Sequence, residues 1–482
     1  MPKPKMVSKP PLQLWFRKIA LFATAVVATC IFGQVRAETL NGALAAAYAN
    51  NPNLEAARAG LRATDESVAQ ARSARRPTII GQGAAGYEDR DIHVKDPLPR
   101  DLFGRLSKEF NLDQGEDTSG YSITLNQPLY SGFQTINTIR EAEANVLATR
   151  ESLRNTEQST LLSAVTAYMD VVQNMATVRL REGNVKVLAD ELASNKRRFE
   201  ADVITRTDMA QSEAQHSASI ADLDGARGSL RSSRANYDEV IGHTPQVLAT
   251  PEPIDRLLPR TLPEALSIAQ EEHPAIISAM FQEEAARNAV LAARGKKRPS
   301  VDLQLKYERE YDSSRLIEEE GTASVMALLK VPFYQGGSVS SQVRQALQVL
   351  SQRQSQLTQA RAQVRTDVSS SWSQLASARA QRASHRVSAE ANKVALDGTR
   401  REAKAGKRTV LDVLNAEQAL LSAQVQLVID ERNEIVASYT LLSAIGRLSA
   451  LYLRLPVELY DAEAYYKFVR KKLWGTRITP RQ

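Results

Sequence analysis

The chain has 482 residues, 62 Lys+Arg against 55 Asp+Glu, and only 6% aromatic residues. That length allows two or more ordinary domains or one elongated one, and the wealth of Ala, Ser, Gln, Glu, Leu and Arg favours long helices. Six of the basic residues (Lys3, Lys5, Lys9, Arg17, Lys18, Arg36) fall within residues 1–37, which hold no acid, so the remainder balances at 56 against 55. A nearly neutral chain has no general attraction for polyanions, which removes nucleic acid as a partner.

The leader has three parts. A basic start ends at Arg17-Lys18, an apolar core runs from Ile19 to Gly33, and Val35-Arg36-Ala37 puts small residues at both cleavage-determining positions. Residues 1–37 are therefore expected to be a secretory signal peptide, cut before Glu38. Two alternatives stay open: an uncleaved N-terminal anchor, and a lipoprotein modified at Cys30, against which the bulky Thr29 counts. Cleavage after Ala37 removes the single cysteine, leaving neither disulfides nor thiol chemistry. The nearest later approach to a membrane helix, Val436 to Leu453, is interrupted by Arg447 and several serines and reads as a buried helix.

From Thr39 a helical segment, restarted at Pro52, ends at Arg76-Pro77, because proline cannot continue it. A β-hairpin is expected over residues 78–127, its second strand at Tyr121–Gln127 closing on the corner NQPLYSGF. A helical run with hardly a breaker then extends from Phe133 to Ala201; at 1.5 Å per residue it reaches about 100 Å. The chain turns at ADVITRTD and returns as a shorter helix to Gly242. At Thr261 the plan starts again. With an offset of 222, Thr39, Leu40, Ala43, Leu44, Ala47 and Pro52 fall on Thr261, Leu262, Ala265, Leu266, Ala269 and Pro274. With an offset of 204, Pro128, Tyr130, Gly132, Tyr168, Thr205, Asp208, Glu213 and Gly242 fall on Pro332, Tyr334, Gly336, Trp372, Thr409, Asp412, Glu417 and Gly446. One insertion of 18 residues between Pro77 and Pro128 accounts for the change, and we place it in an outward-facing loop.

The chain is thus a duplication, with a first repeat at 38–260, a second at 261–446 and a C-terminal segment at 447–482. The second repeat carries a hairpin at 300–331. There Ser300 to Tyr307 alternates apolar and polar residues without a fault, and Ala323–Val331 leads to the corner KVPFYQGG. A long helix is expected at Ser338–Ala405, then the turn AKAGKRTVLD and a return helix to Gly446. The expected fold is mainly α with a small β part, a long antiparallel bundle with a hairpin at one end of each long helix. Strands with one apolar face, about 9 to 11 residues long, suit a tilted crossing of a bilayer, although a small soluble sheet packed on the helices has the same periodicity. Four strands close no barrel and lipid tolerates no open edge, so hairpins in a membrane require several copies of the chain.

The duplicated helix–hairpin–long helix–helix plan, the NQPLYSGF and KVPFYQGG corners and the run GKRTVLDVLNAEQALL together resemble the TolC-type outer-membrane channel proteins, over essentially all of residues 38–482. The resemblance implies a homotrimer whose hairpins form one 12-stranded barrel in outer-membrane lipid, continued by a periplasmic α-helical barrel. A periplasmic adaptor protein would link it to an inner-membrane ABC or RND pump, and type I secreted proteins or drugs would pass without chemistry. The ending YDAEAYYKFVRKKLWG resembles members that work in type I secretion. The rival reading is a periplasmic coiled-coil adaptor or scaffold, although nothing here resembles its lipoyl-like domain.

In that family the helix–helix turns form the periplasmic entrance. Both turns restart a helix with the same signal, Thr205-x-x-Asp208 and Thr409-x-x-Asp412. It reads as a capping box, in which the Thr hydroxyl satisfies a free N–H and the acid suits the positive helix end. It also reads as a ring of pore carboxylates favouring cations. Residue by residue, the resemblance makes Arg408 the basic residue that ties the entrance shut and Asp412 the first ring acid. Asn415 replaces the second acid, and Ala403 replaces a closing tyrosine. No enzyme constellation is present: His93, His216, His243, His273 and His385 are scattered with no metal-ligand spacing. Gly336-Gly337 reads as a closely packed corner, and Lys196-Arg197-Arg198 as a solvated helix face. No cofactor or metal is expected.

Overall fold

The computed structural model describes residues 37–94, 110–251, 253–314 and 317–478. The leader expected at 1–37 lies outside these residues except for Ala37, as does part of the stretch holding the 18-residue insertion. The order is α1 (Leu40–Asn50), α2 (Pro52–Ser73), β1 (Thr78–Val94), β2 (Phe110–Tyr130), α3 (Gln134–Glu200) and α4 (Arg206–Ile241). Then come α5 (Leu262–Glu272), α6 (Pro274–Gly295), β3 (Ser300–Ser314), β4 (Ile317–Lys330), α7 (Ser338–Lys404), α8 (Val410–Ala444) and the short α9 (Ala464–Val469).

The opening helix breaks at the same place in both halves, and the breaking residue caps the next helix. Asn51 Oδ1 accepts from the N–H groups of Asn53 (3.0 Å) and Leu54 (3.4 Å), with Pro52 at the first helical position. His273 Nδ1 accepts from the Ala275 N–H at 3.2 Å, beside Pro274. Burial lowers the His273 pKa, which keeps that ring nitrogen unprotonated and able to accept.

The two long helices are 67 residues each, about 100 Å. Helix α3 packs on its own return helix α4 and also on α6 of the other half; α7 packs on α8 and α6. Their fully buried residues form one core, with Leu44, Leu54, Leu61, Leu161, Tyr168, Tyr237, Ile276, Leu441 and Ile445 drawn from both halves. Tyr168 pins the approach to α1 to this core, its hydroxyl lying 2.7 Å from the Glu38 carbonyl and 2.6 Å from that of Ala249.

The two hairpins join through β2 and β3 into one four-stranded antiparallel sheet, β1-β2-β3-β4, with β1 and β4 at its edges. The strands run 14 to 21 residues, longer than a bilayer crossing needs, because the segment expected as a polar loop is itself paired. The pair Gly336-Gly337 is also not explained by packing. Both residues have left-handed φ (59° and 78°), and a Cβ at either would meet nothing within 4 Å.

Candidate channel wall and periplasmic entrance

The register of the sheet sorts its side chains into alternating rows, since successive residues point to opposite faces. One row reads Ile79–Leu125–Leu305–Val325 across the four strands, and the next on that face reads Gly81–Ile123–Tyr307–Ala323. The rows between them read Thr78–Asn126–Gln304–Met326, Ile80–Thr124–Lys306–Ser324 and Gln82–Ser122–Glu308–Thr322. One face is therefore apolar and the other largely polar. On β3 the apolar face is continuous from Val301 to Tyr307 and ends at Arg309, which pairs with Glu319 at 2.5 Å. Gln82, Ser122, Glu308 and Glu310 are among the residues lining an open trough of about 850 Å³ on the sheet. The sheet stacks on none of the helices. Its apolar face stays uncovered, with Ile79 69% and Val325 71% exposed. A soluble sheet packed on the bundle would have buried that face, so the membrane reading of the strands holds.

The helix turns lie at the far end of the long helices. Both capping boxes are formed. Thr205 Oγ1 accepts from the Asp208 N–H at 3.2 Å, while Asp208 Oδ2 accepts from the Thr205 N–H (3.1 Å) and hydroxyl (2.8 Å). Thr409 and Asp412 repeat this at 3.2, 3.0 and 2.9 Å. The Thr409 N–H holds the Asp412 carboxyl below the usual range, with the Thr409 hydroxyl and the nearby Arg408 charge adding to it. Arg408 itself does not bond Asp412; its Nε donates to Glu402 Oε2 at 2.9 Å, tying the turn back to the end of α7. Asn415 is exposed, one turn beyond Asp412 on the same helix face. Ala403 is half-buried and has no hydroxyl to offer. The two turns meet over a small apolar buckle of Leu188, Val410 and Leu414, with Ile204 packed against it.

Behind the buckle lies a pair that the motifs did not single out. Arg400 Nη2 donates to Glu417 Oε1 at 2.8 Å, and Glu417 is only 5% exposed, so burial pushes its carboxyl up. Its repeat counterpart Glu213 is exposed, and the first half instead joins α3 to α4 with Asn195 donating to Ser212 Oγ at 2.9 Å. The repeated Glu marked the position; which copy is buried depended on packing. His385 has likewise gained a partner, the buried Asp430 across α7 and α8. No helix among the described residues is long and apolar enough to cross a membrane.

The family model for outer membrane efflux proteins matches residues 43–243 and again 265–447, one match in each half. The chain belongs to that family. It is 37% identical over 470 residues to the outer membrane efflux protein BepC of Brucella suis, covering 96% of this chain and 97% of that protein. It is 27% identical to the outer membrane protein TolC of Vibrio cholerae, over 89% and 95% of the two chains. Among solved structures, the CmeC outer membrane channel of Campylobacter jejuni superposes with a TM-score of 0.73 at 14% identity, covering 90% of this chain and 89% of that one, a likeness of fold. This efflux family member is thus an outer-membrane export channel of the TolC type, with its helices in the periplasm, rather than an adaptor.

Proposed function

We propose that three copies of this chain close one 12-stranded barrel and form a passive duct across outer membrane and periplasm. The observation that carries this is the alternation of rows in a sheet with two unpaired edges. The apolar face needs lipid, the polar face needs water, and β1 of one copy needs β4 of the next. At the other end Arg408, Asp412 and Asn415 would face the narrowest part of the lumen, with Asp208 on the neighbouring turn. Three copies of Asp412 make one carboxylate ring, and Asn415 leaves the second ring uncharged. A periplasmic adaptor would meet the helices and couple the duct to an inner-membrane ABC or RND pump, which would choose between protein and small-molecule cargo. Protein extracted from outer membranes should run as a heat-dissociable trimer and give discrete channels in a planar bilayer. A monomer that inserts nowhere overturns the reading.

A further inference from the structure

The end of the C-terminal segment is strongly basic. Residues 464–482 carry six basic residues (Lys467, Arg470, Lys471, Lys472, Arg477, Arg481) and no acid. They also leave three large apolar side chains bare: Leu473 at 75%, Trp474 at 90% and Ile478 at 76% exposure. The segment is nonetheless anchored, and its anchors climb α2 toward the sheet. The Tyr465 hydroxyl donates to Glu66 at 2.8 Å, Tyr466 packs near Val68 and Ala71, and Arg76 Nη1 donates to the Lys472 carbonyl at 3.0 Å. Arg76 stands two residues before β1 begins at Thr78. Leu473 and Trp474 therefore sit at the level where chain passes from helix into the membrane-facing strand. At that level the other corners also expose aromatic rings, Phe333 at 94% and Tyr334 at 86%. Lys472 Nζ closes the segment onto the Arg477 carbonyl, so its bare side chains belong to a folded turn. The matching arginine of the second half, Arg298, lies over the Phe133 ring at 5.2 Å instead, so only one of the two Arg-Pro corners carries this appendage.

We propose that residues 470–478 lie on the phospholipid of the periplasmic leaflet. Trp474 and Leu473 enter the acyl boundary, and Arg470, Lys471 and Arg477 meet anionic headgroups. Tryptophan with an apolar body and polar edge partitions to this depth, and clustered basic side chains add attraction to an anionic surface. The inference rests on the sheet lying in the bilayer, and its surface is continuous with the sheet's lipid-facing band. A neighbouring copy of the chain is the competing occupant of the same patch.

The test uses the full chain with Trp15→Phe and Trp372→Phe, which leaves Trp474 as its only tryptophan. The trimer is reconstituted in phosphatidylcholine–phosphatidylglycerol vesicles whose acyl chains are brominated either near the headgroup or near the bilayer centre. Headgroup-proximal bromine should quench Trp474 about twofold and central bromine much less. Lys471→Glu with Arg470→Glu should weaken that quenching. A companion protein with Trp474→Phe added and Val325→Trp as its reporter should be quenched most by central bromine. If Val325→Trp is quenched while Trp474 is silent, with blue-shifted emission in every lipid, a protein neighbour covers the patch and the anchor is overturned. If both are silent, the sheet is not in the bilayer and both readings fall.

Discussion

At the scale of single residues, the entrance acids have two duties that substitution can separate. Asp412→Asn keeps an oxygen for the Thr409 N–H but removes the charge, whereas Asp412→Ala removes both. The first should lower cation preference in single-channel recordings with little change in helix protection. The second should also speed hydrogen exchange at the amides of residues 410–413. Unchanged selectivity in both variants would confine Asp412 to capping. A different imbalance sits in the core of the first half. Asp65 is 1% exposed with neither carboxylate oxygen hydrogen-bonded, and burial raises its pKa to about 6 despite the opposing charge of Arg150. The native state therefore holds that proton more tightly than the unfolded chain. Stability falls as pH rises from about 4 to about 6, and the penalty is complete above that window. Asp65→Asn should raise stability by about 3 kcal/mol at mildly alkaline pH and by little below pH about 4, read from urea midpoints. The capping boxes were legible because both partners lie within four residues. Glu417 was not, because whether a carboxylate is buried depends on a helix remote in sequence.

At the scale of elements, duplicated positions have taken different work. Gly132 and Gly336 occupy the same corner with φ of 61° and 59°. A Cβ on Gly132 would lie 2.5 Å from the Gly295 carbonyl oxygen and 2.7 Å from Arg298 Cβ, while one on Gly336 would meet open space. Gly336→Ala should cost about 1 kcal/mol for its left-handed backbone alone. Gly132→Ala should cost several times as much and reduce the yield of trimer in heated gel samples; equal costs would show that the α6 contact yields. Tyr168 and Trp372 diverge in the same way. The Tyr168 hydroxyl donates to the Glu38 and Ala249 carbonyls, whereas Trp372 has no hydroxyl and packs half-buried against the core. Periodicity gave away the helices, the hairpins and their order, because each writes a regular pattern into its own stretch. The full length of the strands was hidden, since residues past the apolar band pair through backbone groups that any side chain permits.

At the scale of the whole molecule, neither half is a domain: buried residues from both meet in one core, and α6 bridges the two long helices. The halves differ in strand lengths, in their turns and in the appendage on α2. They agree in helix length: α1 and α5 have 11 residues each, α2 and α6 have 22, and the long helices α3 and α7 have 67. Removing seven residues from α3 alone should withdraw its turn by about 10 Å and split the apolar buckle at the tip. The same cut in both helices should restore a level rim on a shorter particle, as images of single trimers would show. The equal count makes each protomer a pair of matched callipers. The depth to which the mouth reaches below the outer membrane is written directly as a number of residues, and any partner waiting there must be built to the same gauge.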